Sequence, residues 1–128
     1  MRAGIAMFED LTVAGFYDEL AEKVNYFIVG VQAAADKYGI PLRTNKLGGM
    51  FGMFFVKDEA TATPKNFDEV TECDIAAFNT FFHGMLERGI YLAPSAYEAG
   101  FMSIKHSQED LDASIQAADA VLAAMVKA

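Results

Sequence analysis

Residues 42–56 read LRTNKLGGMFGMFFV, and this stretch decides the fold of the chain. Its first six residues alternate loosely between apolar and polar side chains, which is typical of a β-strand. Gly48 and Gly49 follow, and glycine readily adopts the positive φ that a two-residue hairpin turn requires. We therefore predict an antiparallel β-hairpin whose turn lies at residues 48–49.

The second half of this hairpin, residues 50–56, is apolar on both faces. A strand of that kind is typical of a buried, central position in a sheet. Gly52 interrupts the run, and a glycine inside a strand indicates either a bulge or the close approach of another backbone. The sequence thus predicts a central strand with a local irregularity at Gly52.

A helix is predicted on the N-terminal side of the hairpin, over residues 12–38. Apolar residues recur there at steps of four and three, as on one face of a helix; they are Leu20, Val24, Phe27, Val31, Ala34 and Tyr38. Gly39 and Pro41 end this segment. Residues 3–8 are apolar with no capping residue before them, and they resemble the middle of a helix whose cap and packing partners lie upstream.

The segments after the hairpin predict a loop and then a second helix. Residues 57–68 are polar and are expected to form the loop. Thr71 and Asp74 form a weak capping pair, so we predict a helix from there to Arg88, ended by Gly89. Its buried stripe should comprise Ile75, Phe78, Phe82 and Met85.

Two short strands and a third helix complete the predicted order. The strands are expected at residues 90–93 and 101–104, on either side of a loop that runs from Pro94 to Gly100. Ser107 and Asp110 predict a capped helix start, and the stripe that follows is Leu111, Ile115, Ala118, Leu122 and Met125. The order predicts an α+β fold, a small antiparallel sheet of three or four strands with helices packed on one face.

Length and composition restrict the class of protein. A chain of 128 residues suits a single domain, and 53% hydrophobic residues predict a packed core. Eighteen acidic against ten basic residues give a net charge of −8, which disfavours nucleic acid and anionic membranes as partners. We see no apolar stretch of membrane-spanning length and no signal peptide, so the predicted location is the cytoplasm.

Generic signs of a reactive or metal-binding site are few. Cys73 lies between Glu72 and Asp74, and we expect those carboxylates to raise the thiol pKa, which disfavours reactivity. As the only cysteine, it cannot form an intramolecular disulfide. His83 and His106 show no metal-ligand spacing, so we predict no metal site and a structural role for both.

Glu98, in the loop between Pro94 and Gly100, is a candidate site residue. Glu98 is predicted to lie between two apolar strands, where a carboxylate needs a partner or an unusual pKa. The alternative interpretation is an ordinary solvated loop acid. The residues themselves leave both interpretations open.

A longer pattern adds a resemblance. Residues 81–95 read FFHGMLERGIYLAPS and continue as YEAGF at 97–101, with Ser103, His106 and Glu109-Asp110 beyond. This pattern resembles the glutamate-1-semialdehyde 2,1-aminomutases, a family of fold-type I pyridoxal phosphate enzymes related to class III aminotransferases. Upstream segments also resemble the family, namely GGMF at 48–51 with Phe54-Phe55, Gly4-Ile5-Ala6 and Gly15-Phe16-Tyr17. Gly49 stands where the family usually has serine, which leaves the hairpin prediction intact.

The resemblance covers essentially the whole chain and implies a C-terminal small domain. Residues 1–38 would be a remnant of the interdomain helix region and residues 39–128 the small domain itself. The family converts glutamate 1-semialdehyde to 5-aminolevulinate, toward tetrapyrroles (porphyrins), as a cytoplasmic homodimer. Its Schiff-base lysine and cofactor-binding groups lie in the large domain, and no lysine here matches that position among Lys46, Lys57, Lys65 and Lys105.

The resemblance therefore implies that this chain alone holds no catalytic or cofactor-binding residue. We expect it to bind no pyridoxal phosphate and to be inactive without its partner, the large cofactor domain. Two other interpretations stay open. The chain is then either a stand-alone binding or dimerisation module without catalysis, or the small domain of another class III aminotransferase.

Within that resemblance, Glu98 is the residue to which we assign a substrate-side role. In related aminotransferases an arginine near this place binds the substrate carboxylate in bidentate fashion. A glutamate would repel that carboxylate and attract an ammonium group, which suits an enzyme that handles a diamine intermediate and rejects ordinary amino acids. Ser95 and Tyr97 in the same loop are further candidates.

Overall fold

A computed structural model describes residues 1–127 of the chain. Over that range it contains five helices and three strands, which confirms the predicted α+β class. In chain order they are α1 (Arg2–Leu11), α2 (Phe16–Lys37), β1 (Leu42–Leu47), β2 (Met50–Phe55), α3 (Phe67–Thr71), α4 (Ile75–Glu87), β3 (Gly100–Phe101) and α5 (Gln108–Met125).

The predicted hairpin is confirmed. β1 and β2 pair antiparallel, with Leu42 opposite Phe55 and Leu47 opposite Met50. Gly48 alone supplies the positive φ of the turn, at 56°. The third strand, β3, pairs antiparallel with the other edge of β2, so β2 is central as predicted.

The prediction that β2 is buried on both faces is wrong. Phe51 and Phe55 are 8% and 2% exposed, whereas Met50 on the opposite face is 38% exposed. The reason is that the helices cover one face of the sheet only. The bulge that was considered at Gly52 is absent, because Gly52 pairs with Asn45 in a continuous register of β1 and β2. A Cβ atom there would lie 2.7 Å from Cζ of Phe54, so a side chain and not a backbone approaches it.

The two short strands predicted after α4 are wrong in extent. Residues 90–93 form no strand. The amide of Ile90 instead donates a hydrogen bond to the carbonyl of Met85, at 3.0 Å, at the C-terminal end of α4. The second strand is β3, two residues long, and it begins one residue before the predicted start. The sheet therefore has three strands, the lower of the two numbers predicted.

Two helix starts also differ from prediction. Residues 66–71 were assigned to a loop or a cap, yet the Asn66 side chain accepts from Glu69 N at 3.0 Å and begins α3. α4 is capped by Asp74, whose carboxylate accepts from Ala77 N at 2.9 Å, and not by Thr71. Aspartate and asparagine are strong N-cap residues, so each outcompetes the weaker threonine pattern.

The N-terminal segment forms two helices: α1 covers residues 3–8, which resemble the middle of a helix, and α2 begins at Phe16 and not at the predicted residue 12. Gly15, with φ at 84°, breaks the backbone between α1 and α2. As predicted for an uncapped start, α1 has no side-chain cap, and none of its residues is buried. By contrast α2 lies in the core, so residues 16–37 pack with the sheet and α5.

The core lies between one face of the sheet and the helices α2, α4 and α5. Phe81 is fully buried and packs on Phe55 with ring centroids 5.4 Å apart. It lies outside the stripe predicted for α4, which otherwise holds for Phe78, Phe82 and Met85. The predicted capping box of α5 is confirmed, because Ser107 and Asp110 each accept a hydrogen bond from the other's backbone amide.

Candidate functional site

The three predicted site residues lie in one tight turn beside β3. The Ser95 hydroxyl accepts a hydrogen bond from Tyr97 N at 3.2 Å, and the Ser95 carbonyl accepts one from Glu98 N at 3.1 Å. A serine that bonds the backbone two residues ahead is a common turn former. The turn holds the backbone of Glu98 while its side chain extends from the loop.

Two cavities border this turn, and Glu98 lines both of them. The first has a volume of about 160 Å³ and runs from Ser95 and Glu98 to the apolar side chains of Phe27 and Leu111. The second, of about 290 Å³, lies on the other side of the loop and is lined by Glu98 together with Tyr97, Phe54 and Phe67 among others. Glu98 is thus a lining residue of two mainly apolar spaces.

Glu98 is exposed, and within residues 1–127 its side chain forms no hydrogen bond or ion pair. Of the two interpretations that the sequence left open for Glu98, its exposure favours the ordinary solvated loop acid. The reason is that the residues on either side of the loop are not paired strands enclosing it, so water reaches the acid. A free, solvated carboxylate is available to a cation that comes from outside this chain.

Tyr97 contributes an aromatic wall together with a residue that the sequence analysis missed. Its ring lies 5.8 Å from the ring of Phe67, and the two side chains are 50% and 65% exposed. Phe67 was not considered because it lies within residues 57–68, the segment assigned to a loop. The helix signal that locates it is the Asn66 cap at the start of α3.

The side chains around the loop do not match the needs of a phosphate-bearing cofactor. Within the part of the chain that the structure describes, no lysine or arginine lines the first cavity. Lys46 lines the second, where its ammonium donates to the Asn25 side chain. Phosphate groups in proteins are usually bound by several cationic or backbone N–H donors. The residues that line these two cavities therefore do not provide the several cationic donors typical of a phosphate site.

The histidines make structural contacts. His106 accepts a hydrogen bond at Nδ1 from Ser103 N, at 3.2 Å, and its carbonyl accepts one from Lys23 Nζ at 2.7 Å. These contacts order the turn before α5. His83 is exposed on α4, with its ring edge against Phe82 at 5.3 Å. Among residues 1–127 we find no group of three or more His, Cys, Asp and Glu residues arranged to hold a metal ion.

Cys73 has a raised thiol pKa, as predicted, although the main cause differs. Partial burial raises the pKa, and the nearby Lys57 ammonium opposes it. The prediction had invoked the neighbouring carboxylates. None of the helices formed by the described residues is both long and apolar enough to cross a membrane.

Three solved structures share the fold of this chain. A transaminase with PLP bound superposes with a TM-score of 0.68 at 18% identity, over 91% of this chain and 25% of that one. An omega-transaminase from Sphaerobacter thermophilus gives 0.65 at 20% identity, over 84% and 24%. The PLP internal aldimine form of FumI from Sphingopyxis sp. MTA144 gives 0.64 at 18%, over 86% and 23%. The fold is that of one part of a transaminase chain.

The sequence comparison is more specific. The glutamate-1-semialdehyde 2,1-aminomutase of Psychrobacter cryohalolentis is 75% identical over 128 residues, all of this chain and 30% of that protein. The proteins of the same name from Psychrobacter arcticus and Psychrobacter sp. PRwf-1 are 77% identical over 128 residues and 74% over 125. No family model matches the chain. The predicted resemblance is confirmed, and the chain spans about 30% of the length of these relatives.

Proposed function

We propose that this chain is the C-terminal domain of a pyridoxal phosphate-dependent glutamate-1-semialdehyde 2,1-aminomutase. The observation that carries the proposal is 75–77% identity to two enzymes of that name over the whole chain. In this proposal residues 1–38 come from the interdomain helix region and residues 39–128 are the small domain. The intact enzyme is an isomerase, a cytoplasmic homodimer that makes 5-aminolevulinate for tetrapyrrole synthesis.

In the intact enzyme the bound cofactor supplies the electron sink for moving an amino group. In this proposal the cofactor is held by the large domain, which agrees with the single cationic residue, Lys46, that lines either cavity among residues 1–127. The contribution of this chain is one wall of the substrate space. That wall consists of the loop around Glu98 and the apolar side chains that line the two cavities.

The charge of Glu98 determines which substrate groups this wall accepts. Its carboxylate is exposed and unpaired within residues 1–127, so its charge is available to a ligand. An ammonium group facing it is attracted, whereas a substrate carboxylate at the same place is repelled. The wall therefore favours the diamine intermediate over the carboxylate end of an ordinary amino acid.

Ser95 and Tyr97 support Glu98 in this proposal. The Ser95 hydroxyl closes the turn by accepting from Tyr97 N at 3.2 Å, which limits where the backbone of Glu98 can lie. The Tyr97 ring, packed against Phe67, forms an apolar side of the second cavity. Both residues are thus proposed to shape the substrate side, while the charge comes from Glu98.

The experiment uses a chimaera in which this chain replaces its matching segment in the Psychrobacter arcticus enzyme, which is 77% identical to it. The chimaera should form 5-aminolevulinate from glutamate 1-semialdehyde. Glu98→Gln should change the ratio of 5-aminolevulinate formed to diamine released by about tenfold, because the ammonium loses its countercharge. Cofactor content should stay the same, since the cofactor is held elsewhere.

Glu87→Gln is the matched control, because Glu87 is also exposed but lies at the end of α4. It should leave the ratio of product to released diamine unchanged. A folded chimaera that holds cofactor yet forms no 5-aminolevulinate contradicts the assigned function. An unchanged ratio in Glu98→Gln contradicts the role of Glu98 alone.

A further inference from the structure

The loop that carries Glu98 joins the sheet through its shortest strand. β3 begins at Gly100, two residues after Glu98, and Gly100 lies opposite Phe51 of β2. Residues directly opposite each other in an antiparallel pair point to the same face of the sheet. A side chain at position 100 would therefore project beside the Phe51 ring.

The Phe51 ring already fills that space. A Cβ atom on Gly100 would lie 2.3 Å from Cζ and 2.4 Å from Cε2 of Phe51. The ring is 8% exposed and packs edge-on against Phe27, with centroids 5.3 Å apart. Because the close-packed core occupies its other side, the ring cannot retreat freely. Any side chain at position 100 would instead displace the short β3 strand, which pairs with β2 at two positions.

Phe51 also shares its surroundings with Glu98. Both residues line the cavity of about 160 Å³ and the cavity of about 290 Å³. Phe51 thus contributes to the lining of both cavities that Glu98 lines, and its ring lies on the face of the sheet that packs against Phe27. Displacing the loop from the ring would change the position of the carboxylate and the shape of both cavities together.

We propose that Phe51 and Gly100 form a positioning pair for Glu98. The Phe51 ring packs on the bare Cα of Gly100 and sets how closely residues 94–100 approach the sheet. An aromatic side chain that covers a glycine on the neighbouring strand is an established means of fixing strand position. The inference rests on the proposed role of Glu98 and adds two residues that do not themselves carry its charge.

The first test measures the loop in this chain by amide NMR. Gly100→Ala should shift the amide resonances of Ser95 and Tyr97, which are too distant in sequence for a purely local effect. Gly30→Ala is the matched control, because its Cβ would lie 2.6 Å from Cδ1 of Ile115 at the contact of α2 and α5. That variant also crowds a packed contact, at a distance from the loop, and should leave the loop resonances unchanged. A folded Gly100→Ala chain with an unshifted Ser95 amide overturns the inference.

The second test uses the same chimaera and the same ratio of 5-aminolevulinate to released diamine. Gly100→Ala should change that ratio about tenfold, in the direction of Glu98→Gln. The double variant Gly100→Ala/Phe51→Leu should return it toward the parent value, because leucine lacks the Cε and Cζ atoms that meet the new methyl group. Gly30→Ala should not change it, since a general loss of stability does not alter a ratio of products.

The outcomes separate the two proposals. If Glu98→Gln changes the ratio and Gly100→Ala does not, the positioning pair is wrong and the proposed role of Glu98 stands. If Glu98→Gln has no effect on the ratio, the proposed role of Glu98 is wrong, and the positioning pair, which rests on it, is wrong as well. If Gly100→Ala does not fold, the double variant decides. Refolding with a restored ratio supports the pair, and refolding with an altered ratio overturns it.

Discussion

At the scale of single residues, burial and charge are divided between two regions of the molecule. Phe81 is fully buried, and no charged residue among residues 1–127 is buried. Glu98, the residue with the assigned substrate role, is exposed on a loop. The apolar interior therefore carries stability, and the loop is free to carry a charge without the cost of desolvation.

The first stability prediction concerns Phe81. Phe81→Ala should lower the free energy of unfolding of the chain by about 3–5 kcal/mol, because it removes a buried ring and leaves a cavity beside Phe55. The control is Phe8→Ala on α1, where the ring is 70% exposed and the loss should be within about 0.5 kcal/mol. Urea unfolding measures both, and equal losses would contradict the described core.

At the scale of elements, α5 is held against α2 by polar contacts at the rim of an apolar interface. Tyr26 Oη donates to the Asp112 carboxylate at 2.6 Å. Lys37 Nζ and Tyr38 Oη donate to the two oxygens of Asp119 at 2.9 and 3.1 Å. The hydrogen bond from Lys37 holds the pKa of Asp119 below its ordinary value, and the one from Tyr26 does the same for Asp112.

These shifts predict the acid dependence of stability. A lowered folded pKa means that each carboxylate contributes fully above the ordinary aspartate pKa of about 3.9, and that the contribution disappears as pH falls through the lowered value. Stability measured by urea unfolding should thus fall as the pH drops below about 4. The double variant Asp112→Asn/Asp119→Asn should show a shallower fall, and an identical pH profile would contradict the contacts.

The contacts of Tyr26 and Lys37 with α5 also make stability depend on pH at the basic end, where it is lost as the pH rises. The hydrogen bond to Asp112 raises the pKa of Tyr26, and contacts with Tyr38 and Asp119 raise the pKa of Lys37. Each group contributes fully to stability at pH values below its ordinary pKa of about 10. The contribution is lost as the pH rises through the raised pKa of the folded state. The polar contacts between α2 and α5 therefore contribute most to the free energy of unfolding between about pH 4 and about pH 10.

At the scale of the whole molecule, the chain spans about 30% of the length of its aminomutase relatives, and residues 1–127 form one small α+β unit. We predict that the chain by itself binds no pyridoxal phosphate stoichiometrically, because no lysine or arginine among the described residues lines the first cavity. In an absorbance titration with pyridoxal phosphate, the signal should be weak and should not saturate, because it comes only from adducts with surface lysines. The chimaera is the positive control, and a saturable one-to-one change with the chain alone would contradict the prediction.

Local patterns in the sequence were enough for the elements whose signals lie within a few residues. The hairpin turn at Gly48, the capping box of Ser107 and Asp110, and the apolar stripe of α5 all follow from short-range geometry. Hydrogen bonds of turns and caps join neighbours in the chain, so their residues can be identified without knowing the fold. The run at residues 81–103 also identified the relatives by itself.

Only the tertiary structure decided which side chains are covered and which meet. The exposure of Glu98, the burial of Phe81 and the two-residue length of β3 depend on segments far apart in the sequence. The contact of Phe51 with Gly100 is of the same kind, because it joins residues that become neighbours only when β3 pairs with β2. Burial is a sum over non-local packing, and no local pattern of residues determines it.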